Sequence, residues 1–153
     1  MTTPIATGRI VTLTRVFAAT PERVFDAWLD PDDVRHFLFA TPGGEMTTVE
    51  IDARVGGDAL IVERRGDKQA FHRLHYETIE RPHRLVFLFK ACIAGGSVAD
   101  EWTRVTVAIA PENDGARLTL THEGVWPDFE SKTHEGWTMI LASLGDLMED
   151  DHG

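Results

Sequence analysis

The sequence predicts a single α+β domain in which a curved, antiparallel seven-stranded sheet wraps around one long C-terminal helix. Three observations support this prediction. The 153 residues suit one domain. A chain of this length can form a core without a metal or a disulfide, and its 42% of hydrophobic residues argues against intrinsic disorder. The period of the apolar residues changes in order, from one strand to two short helices, then to several strands and finally to a long helix.

The chain opens with a strand that is followed at once by two short helices. Residues 9–17 are rich in β-branched and aromatic side chains, which is typical of a strand. The Thr-Pro pair at 20–21 and the Asp-Pro pair at 30–31 each predict a helix start. The side-chain oxygen can cap free backbone N–H groups, and proline is tolerated at the first helical position. The second helix carries apolar residues, Phe37 among them, at i, i+3 and i+4 spacing.

A period of two begins at residue 46 and indicates six further strands. Turn-forming residues separate these segments, and strands that are joined by short turns pair in antiparallel fashion. The first of these strands begins at residue 46, and the other five are predicted at 59–64, 70–80, 85–89, 102–110 and 116–123. A glycine-containing loop is predicted at 91–100.

The last predicted element is an amphipathic helix over residues 131–149, with Trp137 and Leu141 on its apolar stripe. Gly136 and Gly145 each cost the helix about 1 kcal/mol relative to alanine. We expect the close approach of another backbone to compensate for this cost. Because sheet and helix each have one apolar face, burial of both faces requires the helix to lie across the sheet.

Composition and charge exclude several classes of function. The formal charge of −10 disfavours general nucleic-acid binding and anionic membrane surfaces. No apolar run approaches the roughly 20 residues that a membrane helix needs, and the first residues do not have the pattern of a signal peptide. The only cysteine, Cys92, excludes an intramolecular disulfide and a multi-thiolate metal site. We therefore expect a cytoplasmic protein with no metal and no cofactor.

Four parts of the chain, taken in order, resemble a known family. The opening strand, the paired helices and the Asp-Pro junction carry the first likeness, and an Arg-x-Gly-Gly hairpin carries the second. A proline-containing turn before an apolar strand and a Gly-Trp helix start complete the set. The segments are 15–37, 51–61, 79–89, and 116–125 with 134–144. Together they are similar to the START and birch-pollen-allergen superfamily (SRPBCC), and most closely to the group named after the activator of the ninety-kilodalton heat-shock-protein ATPase.

The resemblance implies a helix-grip fold of order β-α-α-β6-α, with a domain core of about residues 9–149 and an internal cavity. It does not imply one function, because relatives include lipid carriers, hormone receptors, polyketide cyclases and co-chaperone modules. Many members have two tryptophans after the second short helix, whereas this chain has His-Phe-Leu-Phe at 36–39. We expect the pocket mouth, and with it the ligand, to differ.

The strand at 70–80 carries the most informative polar residues. Alternation places His72, Leu74 and Tyr76 on one face, with His75 and Ile79 on the other. The two histidines therefore cannot form a metal site together. If the face with His72 points inward, His72 and Tyr76 could bind a polar ligand group or act as acid and base. The alternative is a half-buried histidine and a tyrosine that take part only in packing.

Other candidates lie on the flanking elements. Trp102 and Trp137 could form pocket walls or could be ordinary core residues. His134 could lie at the pocket rim or on the surface at the helix start, and Arg54 could meet an anionic ligand or form an ion pair in its hairpin. No catalytic residue is assigned. The residues that we expect at the pocket are Phe37, His72, Leu74, Tyr76, Trp102, His134, Trp137 and Leu141.

Three functions are compatible with these features. The first is binding of a small apolar or amphipathic molecule between the sheet and the last helix, in a cavity of roughly 300–1,000 Å³. The second is a protein-interaction or co-chaperone-like module, which would expose an apolar patch. The third is a cyclase- or hydrolase-like enzyme, which requires at least two of His72, Tyr76 and His134 to converge. Homodimerisation stays open, because no sequence feature requires it.

Overall fold

The computed structural model describes residues 8–40, 43–93 and 102–150, so the loop that the sequence predicts at 91–100 lies mostly outside the described residues. The elements follow the predicted order, and a short 3-10 turn precedes the last helix. They are β1 (Arg9–Phe17), α1 (Pro21–Ala27), α2 (Pro31–Phe37), β2 (Glu45–Ile51), β3 (Asp58–Arg65), β4 (Lys68–Glu80), β5 (Arg84–Ile93), β6 (Thr103–Glu112), β7 (Gly115–Val125) and α3 (Glu130–Asp150).

The seven strands form one curved antiparallel sheet in the order β1-β7-β6-β5-β4-β3-β2. Strands β2 to β7 pair with their neighbours in sequence, and β1 joins the far side of β7. The free edges are therefore β1 and β2. This arrangement confirms the predicted α+β helix-grip fold.

Local capping explains why two helices follow β1 directly. The hydroxyl oxygen of Thr20 accepts a hydrogen bond from the Arg23 N–H at 3.2 Å, and the Asp30 carboxylate accepts one from the Asp32 N–H at 2.9 Å. Each such cap stabilises a helix by about 1 kcal/mol. The Arg23 guanidinium also donates two hydrogen bonds to the Asp33 carboxylate, at 2.9 and 3.2 Å. This bidentate pair fixes α1 and α2 relative to each other.

A β-bulge at Glu77 changes the facing of β4. Tyr76 pairs with β5 in one register and Thr78 pairs in the next, so Glu77 is an extra residue. Its carboxylate accepts a hydrogen bond from Arg104 Nε at 2.7 Å on the outer face. Beyond the bulge, Ile79 packs against the core. The prediction that Ile79 shares a face with His75 was therefore wrong, because the extra residue shifts the alternation by one position.

Helix α3 packs its apolar stripe against the inner face of the sheet. Trp137, Leu141 and Leu144 are buried there. A Cβ atom on Gly145 would lie 2.7 Å from a guanidinium nitrogen of Arg15, whereas one on Gly136 would meet nothing within 4 Å. The expectation of an approaching backbone was thus wrong. A side chain from β1 approaches Gly145, and the structure gives no packing reason for Gly136.

Replacement of Ile79 by alanine tests the change of face at the bulge. We expect Ile79→Ala to lower the free energy of unfolding by about 1–3 kcal/mol, because it removes methyl groups from the core. Urea denaturation measures the change. The matched control is Ile10→Ala on the outer face, where the isoleucine is 61% exposed and the expected change is within about 0.5 kcal/mol. Equal effects of the two variants would contradict the assignment of Ile79 to the core.

Candidate functional site

Five aromatic rings gather between the inner face of the sheet and α3, and we call them the aromatic cluster: Phe39, His72, Phe89, His122 and Trp137. The Phe39 ring stacks on His72, with centroids 4.3 Å apart and planes at 2°, and on Phe89, at 4.8 Å and 11°. Trp137 tilts against Phe39 at 5.8 Å. The rings thus fill the part of the interior where Phe39, which follows α2, contacts the sheet.

Phe39 holds its ring in this cluster from an unfavourable backbone conformation. Its φ of 62° lies in the left-handed region, which bulky side chains rarely adopt. Such a conformation costs on the order of 1–3 kcal/mol and persists only where the surroundings enforce it. The stacking against His72 and Phe89 provides that enforcement.

His72 is a buried, neutral member of the cluster. Its Nδ1 lies 3.2 Å from the carbonyl oxygen of Ile61, and because a carbonyl can only accept, Nδ1 carries the proton and donates. Burial lowers the pKa of His72 to about 4, with the Arg65 charge acting in the same direction and the Ile61 bond and Glu63 opposing it. Nε2 is then an acceptor, with no hydrogen-bond partner among the described residues.

His122 links α3 to the sheet through a directed chain of hydrogen bonds. The Trp137 indole N–H donates to Nδ1 of His122 at 3.0 Å, so the ring proton is on Nε2. Nε2 donates to the Thr103 hydroxyl at 2.8 Å, and that hydroxyl donates to the Phe89 carbonyl at 2.8 Å. Burial lowers the pKa of His122 to about 4. Each ring nitrogen of His122 and Trp137 therefore has a hydrogen-bond partner, and neither ring carries a charge.

Two polar atoms in the core have no partner among the described residues, the Tyr76 hydroxyl and the Trp28 indole nitrogen. Both side chains belong to the apolar core around α3. Trp28 lies edge-on to Phe37, with centroids 5.2 Å apart, and 6.3 Å from Trp137. Burial raises the pKa of Tyr76, and the charge of Asp52 adds to this, so the phenol keeps its proton. An unsatisfied buried donor costs about 1–3 kcal/mol.

Glu63 adds a buried carboxylate near His72. It shares a strand face with Ile61, its side chain is 1% exposed, and it forms an ion pair with Arg65. A buried carboxylate is costly unless it is paired. Sequence reasoning missed Glu63 and also His122, although both continue an alternating pattern of buried residues. That pattern runs through Ala59 and Ile61 in β3 and through Leu118 and Leu120 in β7.

The structure brings most of the predicted site residues together in the interior. His72, Leu74 and Tyr76 share the inner face of β4, as alternation predicts, and His75 lies on the other face. The buried members of the predicted set are Phe37, His72, Leu74, Tyr76, Trp137 and Leu141.

Two of the predicted site residues lie outside this interior. Trp102 is on the outer face, because it is two positions from Arg104 and alternate residues of a strand share a face. The Lys90 ammonium lies 4.3 Å from the centroid of the Trp102 ring. His134 is exposed and lines a groove between β1 and α3, since it lies to one side of Trp137 on the helix. Arg54 forms an ion pair with Asp52 at 2.8 Å, which is the structural role that the sequence left open.

The arrangement does not assemble an acid–base pair from the predicted residues. His72 and Tyr76 are four positions apart on one strand, or about 13 Å, and no hydrogen bond joins them. His134 is outside the interior. Within the described ranges, no three His, Cys, Asp or Glu residues gather as a metal site. Among these residues, too, no helix has the length and apolarity to cross a membrane.

The sheet closed by α3, with its interior of aromatic and neutral polar side chains, defines a helix-grip domain. The chain belongs to the family described as "Activator of Hsp90 ATPase homolog 1-like protein", which matches residues 18–149. This confirms the resemblance noted in the sequence. No match is found among curated proteins.

Solved structures of similar proteins agree with this family. A Chromobacterium violaceum protein is 27% identical with a TM-score of 0.76, and the match covers 91% of this chain and 96% of that one. A Rhizobium loti protein is 25% identical with a TM-score of 0.72, over 90% and 95% of the two chains. An AHSA1-like protein from Aeromonas hydrophila has a TM-score of 0.79 at 21% identity, with 94% of both chains covered, and shows likeness of fold.

The two buried histidines make stability depend on pH. Both have folded pKa values of about 4, below the ordinary histidine pKa of about 6.5, so the unfolded chain binds more protons between these two pH values. Stability is therefore complete above about pH 6.5 and is lost as the pH falls towards 4. We expect a loss of about 2 kcal/mol per histidine between pH 7 and pH 5. Urea unfolding at the two pH values measures it.

The control for this prediction is the double variant His72→Gln, His122→Gln. It lacks both titrating rings, so its smaller stability should change little between pH 7 and pH 5. An equally steep dependence in the double variant would assign the effect to other groups.

Proposed function

We propose that the protein binds a small apolar or amphipathic molecule between the inner face of the sheet and α3. The observation that carries this proposal is the pair of unpartnered donors in the core, the Tyr76 hydroxyl and the Trp28 N–H. Because each costs about 1–3 kcal/mol when it is unsatisfied, a ligand that accepts a hydrogen bond from either donor recovers that energy. Ligand pockets commonly combine apolar walls with a few such polar groups.

The chemistry of the interior limits the ligand class. Tyr76 and Trp28 are donors, so the ligand presents an acceptor such as a carbonyl or ether oxygen. His72 is neutral and offers an acceptor at Nε2, which suits a ligand hydroxyl. The walls between these groups are aromatic, through Phe89 and Trp137. We infer a neutral molecule with an apolar or aromatic body and oxygen substituents.

Phe39 is the side chain that must move for such a molecule to enter. Its ring occupies the stack against His72 and Phe89, and its positive φ makes that position strained. A ligand ring that replaces the Phe39 ring would keep the stacking while the backbone relaxes. Movement of Phe39 alone would therefore let a ligand take the place of its ring.

The Tyr76→Phe variant tests the role of the unpartnered hydroxyl. Removal of a buried donor that has no partner should raise the free energy of unfolding of the ligand-free protein by about 1 kcal/mol or leave it unchanged. The same variant should weaken ligand binding by about 5- to 30-fold, which corresponds to about 1–2 kcal/mol. Urea unfolding gives the first quantity. Displacement of the fluorescent probe anilinonaphthalene sulfonate by the ligand gives the second.

Native mass spectrometry of the purified protein, followed by extraction, identifies a molecule for this assay. The matched control is His75→Gln on the outer face of the same strand, which should leave binding unchanged. A clear loss of stability in ligand-free Tyr76→Phe would mean that the hydroxyl already has a partner. That result would remove the main support for an interior ligand.

We propose, as a second candidate, a chaperone-directed interaction through an exposed aromatic pair. Trp126 and Phe129 stand between β7 and α3, are 49% and 46% exposed, and have centroids 5.8 Å apart. Exposed aromatic residues of this kind are common in protein interfaces. The family's description supplies the partner class, an Hsp90-type ATPase.

Stimulation of a purified Hsp90 ATPase tests this second candidate. If the aromatic pair makes the contact, the Trp126→Ala, Phe129→Ala double variant should lose most of the stimulation, since aromatic anchors at interfaces are commonly worth 2 kcal/mol or more. Met139→Ala, on exposed α3 surface, is the control. No stimulation by the unaltered protein would rule out this function for the ATPase tested.

A further inference from the structure

A continuous groove runs along the outside of the domain between β1 and α3. One part, of about 450 Å³, is lined by residues 10–12 of β1 and by Glu130 to Glu135 of α3. The next part, of about 480 Å³, is lined by residues 12–15 and by the following two turns of α3. Because Thr12 and His134 line both parts, they form one groove, which we call the β1–α3 groove.

The floor of this groove is a free sheet edge. Within the described ranges β1 pairs only with β7, so half of its backbone N–H and C=O groups point away from the described sheet. Proteins usually protect such edges with prolines, bulges or charges. β1 has no proline, its one irregularity lies at Arg9/Ile10, and its other charged residue is Arg15. The stretch from Ile10 to Arg15, about 17 Å long, can accept another strand of five or six residues.

The wall of the groove is one side of α3. Glu130, His134, Thr138 and Leu141 follow each other at intervals of four and three residues and therefore share one side of the helix. The helix lies alongside the strand edge. A free edge strand beside a helix is an arrangement that binds extended peptides, through backbone hydrogen bonds to the edge and side chains against the helix.

The charges in the groove are separated along its length. Glu130 and Glu135 lie at the end near Ile10, and Arg15 lies at the other end. Among the described residues, seven other arginines form ion pairs with carboxylates, whereas Arg9, Arg35, Arg73 and Arg84 do not. Among the described residues Arg15 has no such pair, and its guanidinium carbon lies 5.6 Å from the centroid of the Phe17 ring.

Gly145 provides the space that Arg15 occupies. Any larger residue would place a Cβ atom 2.7 Å from the guanidinium. Glycine costs a helix interior about 1 kcal/mol relative to alanine, and here that cost makes room for a cation that pairs with no carboxylate of the described part of the chain. We propose that the β1–α3 groove binds an extended peptide segment of a partner protein, which pairs with β1 and places an acidic side chain against Arg15. This site is separate from the proposed interior pocket.

Synthetic six-residue peptides test the proposal. The probe has alternating valine and threonine, with aspartate at one end and lysine at the other. It is made in both orders, so that parallel and antiparallel pairing with β1 are both tested. We expect one order to shift the backbone amide NMR signals of residues 10–15 and to slow their hydrogen exchange. N-methylation of alternate peptide amides should abolish binding in one of the two registers only, as strand pairing requires.

Charge exchange at Arg15 tests the acidic contact. Arg15→Glu should weaken binding of the aspartate peptide by at least about tenfold, because like charges meet. A peptide with lysine in place of that aspartate should recover most of the affinity. The control is Arg84→Gln, an exposed arginine away from the groove, which should not change affinity. The Tyr76→Phe variant should bind the peptide normally, so failure of the interior-ligand proposal is distinguishable from failure here.

Three results would overturn the proposal. The first is the absence of amide shifts in β1 at millimolar peptide. The second is binding that neither N-methylation nor Arg15→Glu affects. The third is a dimer in analytical ultracentrifugation that Arg15→Glu dissociates, because the groove would then be an interface between two copies of this chain.

Discussion

Burial of the inner face of the sheet by α3 is the constraint on which the rest of the structure depends. Both surfaces are apolar, so exposure of either to water is unfavourable. Each is buried by packing against the other. The chain from the Trp137 indole through His122 and Thr103 to the Phe89 carbonyl adds direction to this otherwise non-directional contact. A hydrophobic stripe alone would allow the helix to slide or rotate. The hydrogen bonds select one seating, because any other would leave buried polar atoms without partners.

That seating determines the character of the interior. Burial keeps His72, Tyr76 and His122 neutral, so binding beside them would rely on hydrogen bonds and stacking rather than on charge. The ionic groups of the described residues are instead found mostly at the periphery, as in the pairs Arg81–Asp26 and Arg117–Glu112. Exposed pairs of this kind contribute little to stability. Glu63 is the exception, a buried carboxylate that is paired with Arg65. The proposed interior site therefore relies mainly on neutral groups, whereas the proposed groove site relies on a charge.

Local signals in the sequence predicted the fold well. The caps at Thr20 and Asp30 and the alternation in β4 up to Tyr76 depend only on neighbouring residues, and the structure agrees with them. Beyond Tyr76 the prediction failed at Ile79, because a bulge depends on pairing with another strand. The position of His134 depended on how α3 is rotated over the sheet, which its own periodicity does not determine.

Other features of the site had weaker sequence signals. His122 and Glu63 were overlooked because polar residues are usually exposed, although their strands alternate in a way that placed them inside. The left-handed backbone of Phe39 had no signal, since an aromatic residue is not expected there. The unpartnered atoms of Trp28 and Tyr76 become visible only when the whole core is assembled. Sequence patterns thus identify which face is buried, whereas the unmet hydrogen bonds are a property of the complete fold.

The bulge in β4 also has a consequence for how this protein can vary. A substitution at Glu77 would alter one ion pair with Arg104 and leave the neighbouring residues in place. Deletion of Glu77 would leave Tyr76, Thr78 and Ile79 paired one to one with three consecutive residues of β5. Tyr76 and Ile79 would then both keep facing inward, and the strand would lose the local bend that a bulge gives it. In evolutionary terms, position 77 can change or be lost without turning the core residues beside it, and such a loss would alter the curvature of the sheet over α3 rather than the composition of its inner face.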